Sequence, residues 1–135
     1  MTVFRKFEQL AQPIFDAIQS GKVDKIVSVG MANSEAAKYM SQADIDLSNS
    51  QYESYFKAFS KFYSYRLLHE QGIKGDFWSR WYLLKFDRQP VVLYLEFYKK
   101  DQSWSVQRIS LKSDLDIQTE KSGDIVISTQ GYNKS

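Results

Sequence analysis

Residues 62–113 read FYSYRLLHEQGIKGDFWSRWYLLKFDRQPVVLYLEFYKKDQSWSVQRISLKS. In much of this stretch side-chain character changes at every second residue, the period of a β-strand. Three clusters interrupt it: IKGD at 73–76, DRQP at 87–90 and KDQS at 100–103. Each is rich in residues that form turns. The pattern predicts four strands, over about 62–72, 77–87, 91–100 and 103–113. Connectors this short join antiparallel neighbours, so the strands form a meander.

The turns also predict a register, and register decides which side chains share a face. A first hairpin centred near 74–75 sets His69 opposite Arg80, Leu67 opposite Tyr82 and Tyr65 opposite Leu84. A second, centred near 88–89, sets Leu84 beside Leu93 and Tyr82 beside Leu95, and a third sets Phe97 beside Val106. One face then collects Tyr65, Leu67, His69, Trp78, Arg80, Tyr82, Leu84, Phe86, Val91, Leu93, Leu95, Phe97, Trp104 and Val106. It is almost wholly apolar and is expected to lie under helices. A β-bulge near Gln107–Arg108 would keep Ile109 and Leu111 on that side with Trp104 and Val106. The other face mixes charge with large apolar groups: Arg66, Leu68, Glu70, Ser79, Trp81, Leu83, Lys85, Val92, Tyr94, Glu96, Tyr98, Ser105 and Lys112.

Upstream, the period is helical. Phe4, Phe7, Leu10, Ala11, Ile14, Phe15 and Ile18 recur at three- and four-residue steps. Thr2 is the expected cap and Gly21 the expected stop, with Pro13 interrupting the hydrogen-bond ladder. Val23, Ile26 and Val27 suggest a short helix, and Ser34 a cap for another running to about Met40. Residues 41–49 (SQADIDLSN) read as a polar turn. Ser50 and Glu53 have capping-box spacing and predict the start of a third helix carrying Tyr52, Tyr55, Phe56 and Phe59. Beyond Asp114 the chain turns polar, with an edge strand expected at 124–129 and a loose end at GYNKS.

At 135 residues, 43% hydrophobic and 16% aromatic, the chain suits one domain with one core. The expectation is a single domain over 1–135, its core about 3–115 and its C-terminal extension 116–135. No stretch approaches the ~20 apolar residues of a membrane-spanning helix. The absence of cysteine excludes disulfides and thiolate chemistry, and a single histidine, His69, excludes a poly-histidine metal cluster. No cofactor or metal is expected. A net charge of +2, made of −1 over residues 1–58 and +3 over 59–135, lacks the concentrated basic field of a nucleic-acid binder. The N-terminus has neither an unbroken apolar run nor a small-residue cleavage site, so a cytoplasmic location is expected. An exported chain whose signal peptide has been removed would read the same.

FDAIQSGKVDKIVSV at 15–29 resembles the helix, Gly-x-x-Asp turn and second helix that open members of the nuclear transport factor 2-like superfamily. VVLYLEFYKKDQSWSVQRISLKSDL at 91–115 resembles their closing hairpin, an aromatic strand, a polar turn and a strand beginning with Trp. The resemblance covers about residues 3–115 and rests on element order and a loose pattern. It implies an α+β fold of the cystatin-like class, with helices packed on the concave face of a curved antiparallel meander. It also implies a pocket between helices and sheet, and often a homodimer through the outer face. Ketosteroid isomerases, polyketide cyclases of the SnoaL type, dehydratases and transport factors share that fold, so it does not specify an activity.

Enzymes of that superfamily generally place an acid–base residue inside the cone. The expected inward face holds no Asp or Glu, because Glu70 and Glu96 fall outside, and no catalytic residue is assigned. The expectation is a non-catalytic small-molecule-binding or scaffold domain. Its candidate pocket is formed by Tyr52, Tyr55, Tyr65, His69, Arg80, Tyr82 and Phe97 and accepts a small apolar or aromatic molecule. His69 and Arg80 would sit at the mouth, where they serve equally as solvated polar tips. Trp81, Leu83, Tyr94, Glu96 and Tyr98 would form the homodimer interface. Two other readings stand beside it: a lyase- or isomerase-like enzyme with His69 as base and Tyr82 as electrophile, and a protein-interaction module using the outer face.

Overall fold

The computed structural model describes residues 3–32, 34–73, 75–113, 115–119 and 125–129. The fold is α+β: three helices precede a four-strand antiparallel meander that does not close into a barrel. Helix α1 (Val3–Ser20) buries Phe7, Ala11, Ile14, Phe15 and Ile18 along one side. Gly21 ends it at φ 76°, a left-handed conformation that glycine adopts without steric cost. There Lys22 N–H donates to the Ala17 carbonyl at 3.0 Å. A 3-10 turn (Val23–Lys25) leads into the short α2 (Ile26–Gly30), and a second (Ala36–Tyr39) follows. Where the sequence predicts a helix capped by Ser34, only this second 3-10 turn forms; its N-cap position is Glu35, and Ser34 Oγ accepts from Ala36 N just before it. Gly30 lets α2 approach closely: a Cβ there would sit 2.7 Å from Ile14 and 2.8 Å from Ile109.

Helix α3 (Gln42–Phe59) begins earlier than the sequence pattern predicts. Its cap is Ser41, whose hydroxyl accepts from Asp44 N at 3.1 Å, so the polar run 42–49 is helical and Ser50 lies inside the helix. The extra turns are anchored by Asn49, which is buried. Its Oδ1 accepts from Val27 N at 2.8 Å and its Nδ2 donates to Ser28 Oγ at 3.0 Å.

The strands are β1 (Phe62–Ile73), β2 (Phe77–Phe86), β3 (Pro90–Lys99) and β4 (Trp104–Lys112), in the order β1-β2-β3-β4. The third hairpin pairs Phe97 with Val106, and the register then slips so that Glu96 faces Arg108 and Leu95 faces Ile109. Gln107 is the extra residue, so the bulge lies where expected and Trp104, Val106, Ile109 and Leu111 all join the core side. The second hairpin is offset by two residues from expectation, pairing Tyr82 with Leu93 and Leu84 with Val91. An even shift leaves every side chain on its face. The turn behind it is tied down by Asp87 N donating to the Lys61 carbonyl at 2.8 Å.

In β1 the structure overturns the expectation. Tyr65 pairs with Leu84 and Leu67 with Tyr82, but a bulge between Leu67 and His69 then sets His69 opposite Trp81 and Glu70 opposite Arg80. Beyond Leu68 the strand's faces exchange. His69 moves to the outer side and Glu70 to the helix side.

The core lies between the helices and one sheet face. Phe7 packs on Phe97 and Trp104, and Phe56 and Phe59 of α3 pack on Phe86. The expected edge strand is β6 (Ile125–Thr129), but it does not extend the meander. It pairs with β5 (Leu115–Thr119), which the sequence pattern missed, in a separate two-stranded sheet. The backbone of β5 contacts β3. Among the described residues no helix is long and apolar enough to cross a membrane. Thr2 and the terminal GYNKS lie outside the described residues.

Candidate ligand-binding site

The bulge at Leu68 creates a polar cluster on the helix side of the sheet. Arg80 is only 3% exposed. Its Nε donates to Glu70 Oε1 at 2.9 Å, and Trp78 Nε1 donates to the same oxygen at 2.8 Å. Arg80 Nη1 donates to the Tyr82 hydroxyl at 3.1 Å. The guanidinium carbon stands 5.5 Å from the centre of the Phe7 ring, within cation–π range. The even positions of β2 supply Trp78, Arg80 and Tyr82, and the bulge brings Glu70 to them.

Burial works against the Arg80 charge, but Tyr82 and Glu70 outweigh it and hold the guanidinium more firmly protonated than a free arginine. Burial also raises the Tyr82 phenol above its ordinary value, and Arg80 offsets part of that rise. A guanidinium has five N–H donors. Here one Nη1 proton and both Nη2 protons have no acceptor among the described residues, nor does the Tyr82 hydroxyl proton. A buried donor left unsatisfied costs about 1–3 kcal/mol, so such groups normally find a partner.

The cluster lies next to an incompletely covered edge. Tyr65 and Leu67 of β1 face the helix side yet are 43% and 37% exposed. Phe15 of α1 stacks on Tyr65 with ring centres 3.7 Å apart, and both rings stand edge-on to Tyr82, at 4.9 and 6.0 Å. Tyr82 therefore lies behind an aromatic stack on an edge strand, with Arg80 next to it through the Nη1–hydroxyl hydrogen bond.

Of the seven expected pocket residues, the structure brings Tyr65, Arg80 and Tyr82 together. Phe97 is on the same face, but Phe7 covers it at 4.8 Å. Tyr52 is half-buried against the core, its hydroxyl donating to the Ile109 carbonyl at 2.9 Å, and burial raises its pKa. Tyr55 is exposed and stacks on Phe59. His69 is exposed on the opposite face, 3.2 Å from Gln71 and 5.2 Å from the Trp81 ring. His69 and Tyr82 therefore share no site. Glu70 and Trp78 are the members that the expected pocket lacked. The sequence carries no decisive signal for them, since either of the adjacent leucines at 67–68 can face the core. A separate cleft of about 190 Å³ opens between α2, the second 3-10 turn and α3, lined by Val27, Met31, Met40 and Ile45 among others.

On the outer face, Ser79 Oγ lies 2.9 Å from Tyr94 OH, which donates to Glu96 Oε2 at 2.6 Å. The Trp81 ring lies 4.8 Å from that of Tyr94. Val92 and Tyr94 point away from the helices yet are 1% and 6% exposed within the single chain. Trp81, Leu83 and Glu96 are half-buried there and Tyr98 is exposed. Comparisons with family models, with curated proteins and with solved structures return no match.

Proposed function

We propose that this is a non-catalytic binding domain with the cone-like architecture of the nuclear transport factor 2-like superfamily. It receives a small molecule with an apolar or aromatic body at the β1 edge of the helix-facing sheet surface. The observation that carries this reading is the partial exposure of Tyr65 and Leu67. Both belong to the core face by register, yet the helices cover them only in part, beside the buried Tyr82. An apolar surface leading to a few converging polar groups is the usual composition of a ligand site.

Glu70 gives an enzymatic reading some support, since it sets a carboxylate beside Tyr82 on the helix side. Its Oε1, however, accepts from both Trp78 and Arg80, which makes it an anchor for the guanidinium first. Binding is therefore the better-supported function.

Titration with the neutral dye Nile red tests it. Saturable fluorescence is expected from the wild-type chain. Leu67→Asp should weaken binding at least about tenfold, as expected when a charge faces an apolar ligand. Leu83→Asp, on the outer face, should leave it unchanged. Absence of saturable binding, or loss with Leu83→Asp alone, would contradict the reading.

A further inference from the structure

We propose that the ligand of this site carries a carboxylate, received by the free edge of Arg80 and by the Tyr82 hydroxyl. The inference rests on the binding reading above and adds the ligand's chemical class. What the cluster lacks is acceptors. One Nη1 proton, both Nη2 protons and the Tyr82 hydroxyl proton are open among the described residues. Of the two Glu70 oxygens, Oε1 already receives two donors. A carboxylate brings acceptors only and matches the fork of a guanidinium. An amide of the same shape would add two donors to a site already rich in them.

Glu70 also limits the charge that fits. Its carboxylate holds Arg80 Nε, so a dianion would meet a charge of its own sign on the same guanidinium. A monocarboxylate is the better match. The apolar half of the ligand would lie against Leu67, Tyr65 and Phe15. Tyr65 stands on an edge strand and is partly exposed. Rotation of its side chain off Phe15 would uncover Tyr82, whose hydroxyl is hydrogen-bonded to Arg80.

Isothermal titration of the wild-type chain with phenylacetate and with phenylacetamide tests the class directly. The acid is expected to bind at least about tenfold more tightly than the amide, the scale at which open buried donors discriminate. The preference should persist at raised ionic strength, because a buried contact is weakly screened. Arg80→Lys, checked for folding by thermal unfolding, should abolish the preference while still binding Nile red. Equal binding of acid and amide would overturn the carboxylate inference and assign the open donors to water. Failure of both while Nile red still binds would overturn it and leave the binding reading intact. Failure of all three would overturn both. If Arg80→Lys does not fold, the wild-type comparison decides alone.

Discussion

Arg80 is a cation held inside an aromatic shell, and its stability depends on Glu70. Breaking a buried ion pair from one side leaves the other charge uncompensated. Glu70 keeps 27% of its side chain exposed, so the penalty is below that of a fully buried pair. Glu70→Gln should lower unfolding stability by about 2 kcal/mol in urea denaturation. Glu70→Gln with Arg80→Met should lose less than the two single changes added together. A loss below about 0.5 kcal/mol for Glu70→Gln would mean that the pair is not structural. Phe7 is fully buried and contacts Phe97, Trp78 and Trp104 as well as Arg80, so Phe7→Ala should cost about 3–5 kcal/mol in the same assay. The phenols of Tyr52 and Tyr82 set an alkaline limit. Tyr52 and Tyr82 both have native pKa values raised above the ordinary 10.0. Below that value both states keep the proton and stability is unaffected. Above it the unfolded phenols ionise first, so stability falls as pH rises through the raised native values. Tyr52→Phe should make the alkaline decline shallower in pH-dependent urea unfolding, and an unchanged slope would contradict this.

Helix α3 and strand β1 show what periodicity reveals and what it hides. Strand boundaries and the bulge at Gln107 are legible because large apolar residues mark the core side without ambiguity: Trp104 and Val106 before it, Ile109 and Leu111 after it. The bulge at Leu68 is not legible, since Leu67 and Leu68 are equivalent candidates for the core. The exchange of faces that follows moved Glu70 into the candidate site and His69 out of it. The start of α3 is hidden for a different reason. SQADIDLSN is locally polar, and its helical form is supported by Asn49 reaching Val27 and Ser28 about twenty residues away. Ser41 and Asp44 carry the same three-residue spacing as Ser50 and Glu53, so spacing alone does not choose between them. Energetics do. Ser41→Ala should cost about 1 kcal/mol as the loss of a cap, while Ser50→Ala, inside the helix and exposed, should be nearly neutral in thermal unfolding. The reverse order would place the helix start at Ser50.

In the whole molecule the two sheet faces differ in character. The helix side is a packed aromatic core with one thinly covered edge. The outer side is crossed by the hydrogen-bonded chain Ser79–Tyr94–Glu96, and its centre is already buried. A second copy docking there would meet Trp81, Leu83 and Tyr98 rather than the centre of the face. If that homodimer forms, light scattering should give twice the 15.8 kDa chain mass, and Leu83→Asp should return it to a single chain. A mass of one chain in the wild type would remove the dimer while leaving the binding site untouched. Binding requires a small molecule to reach the helix side of the sheet at the β1 edge. Heteronuclear NMR of the three tryptophan indole N–H signals during phenylacetate titration tests this most directly, because Trp78 and Trp81 mark opposite faces of one strand. A saturable shift of the Trp78 indole and the Arg80 Nε–H signals is expected, with Trp81 unmoved. A shift confined to Trp81, or no shift at saturating ligand, would contradict it.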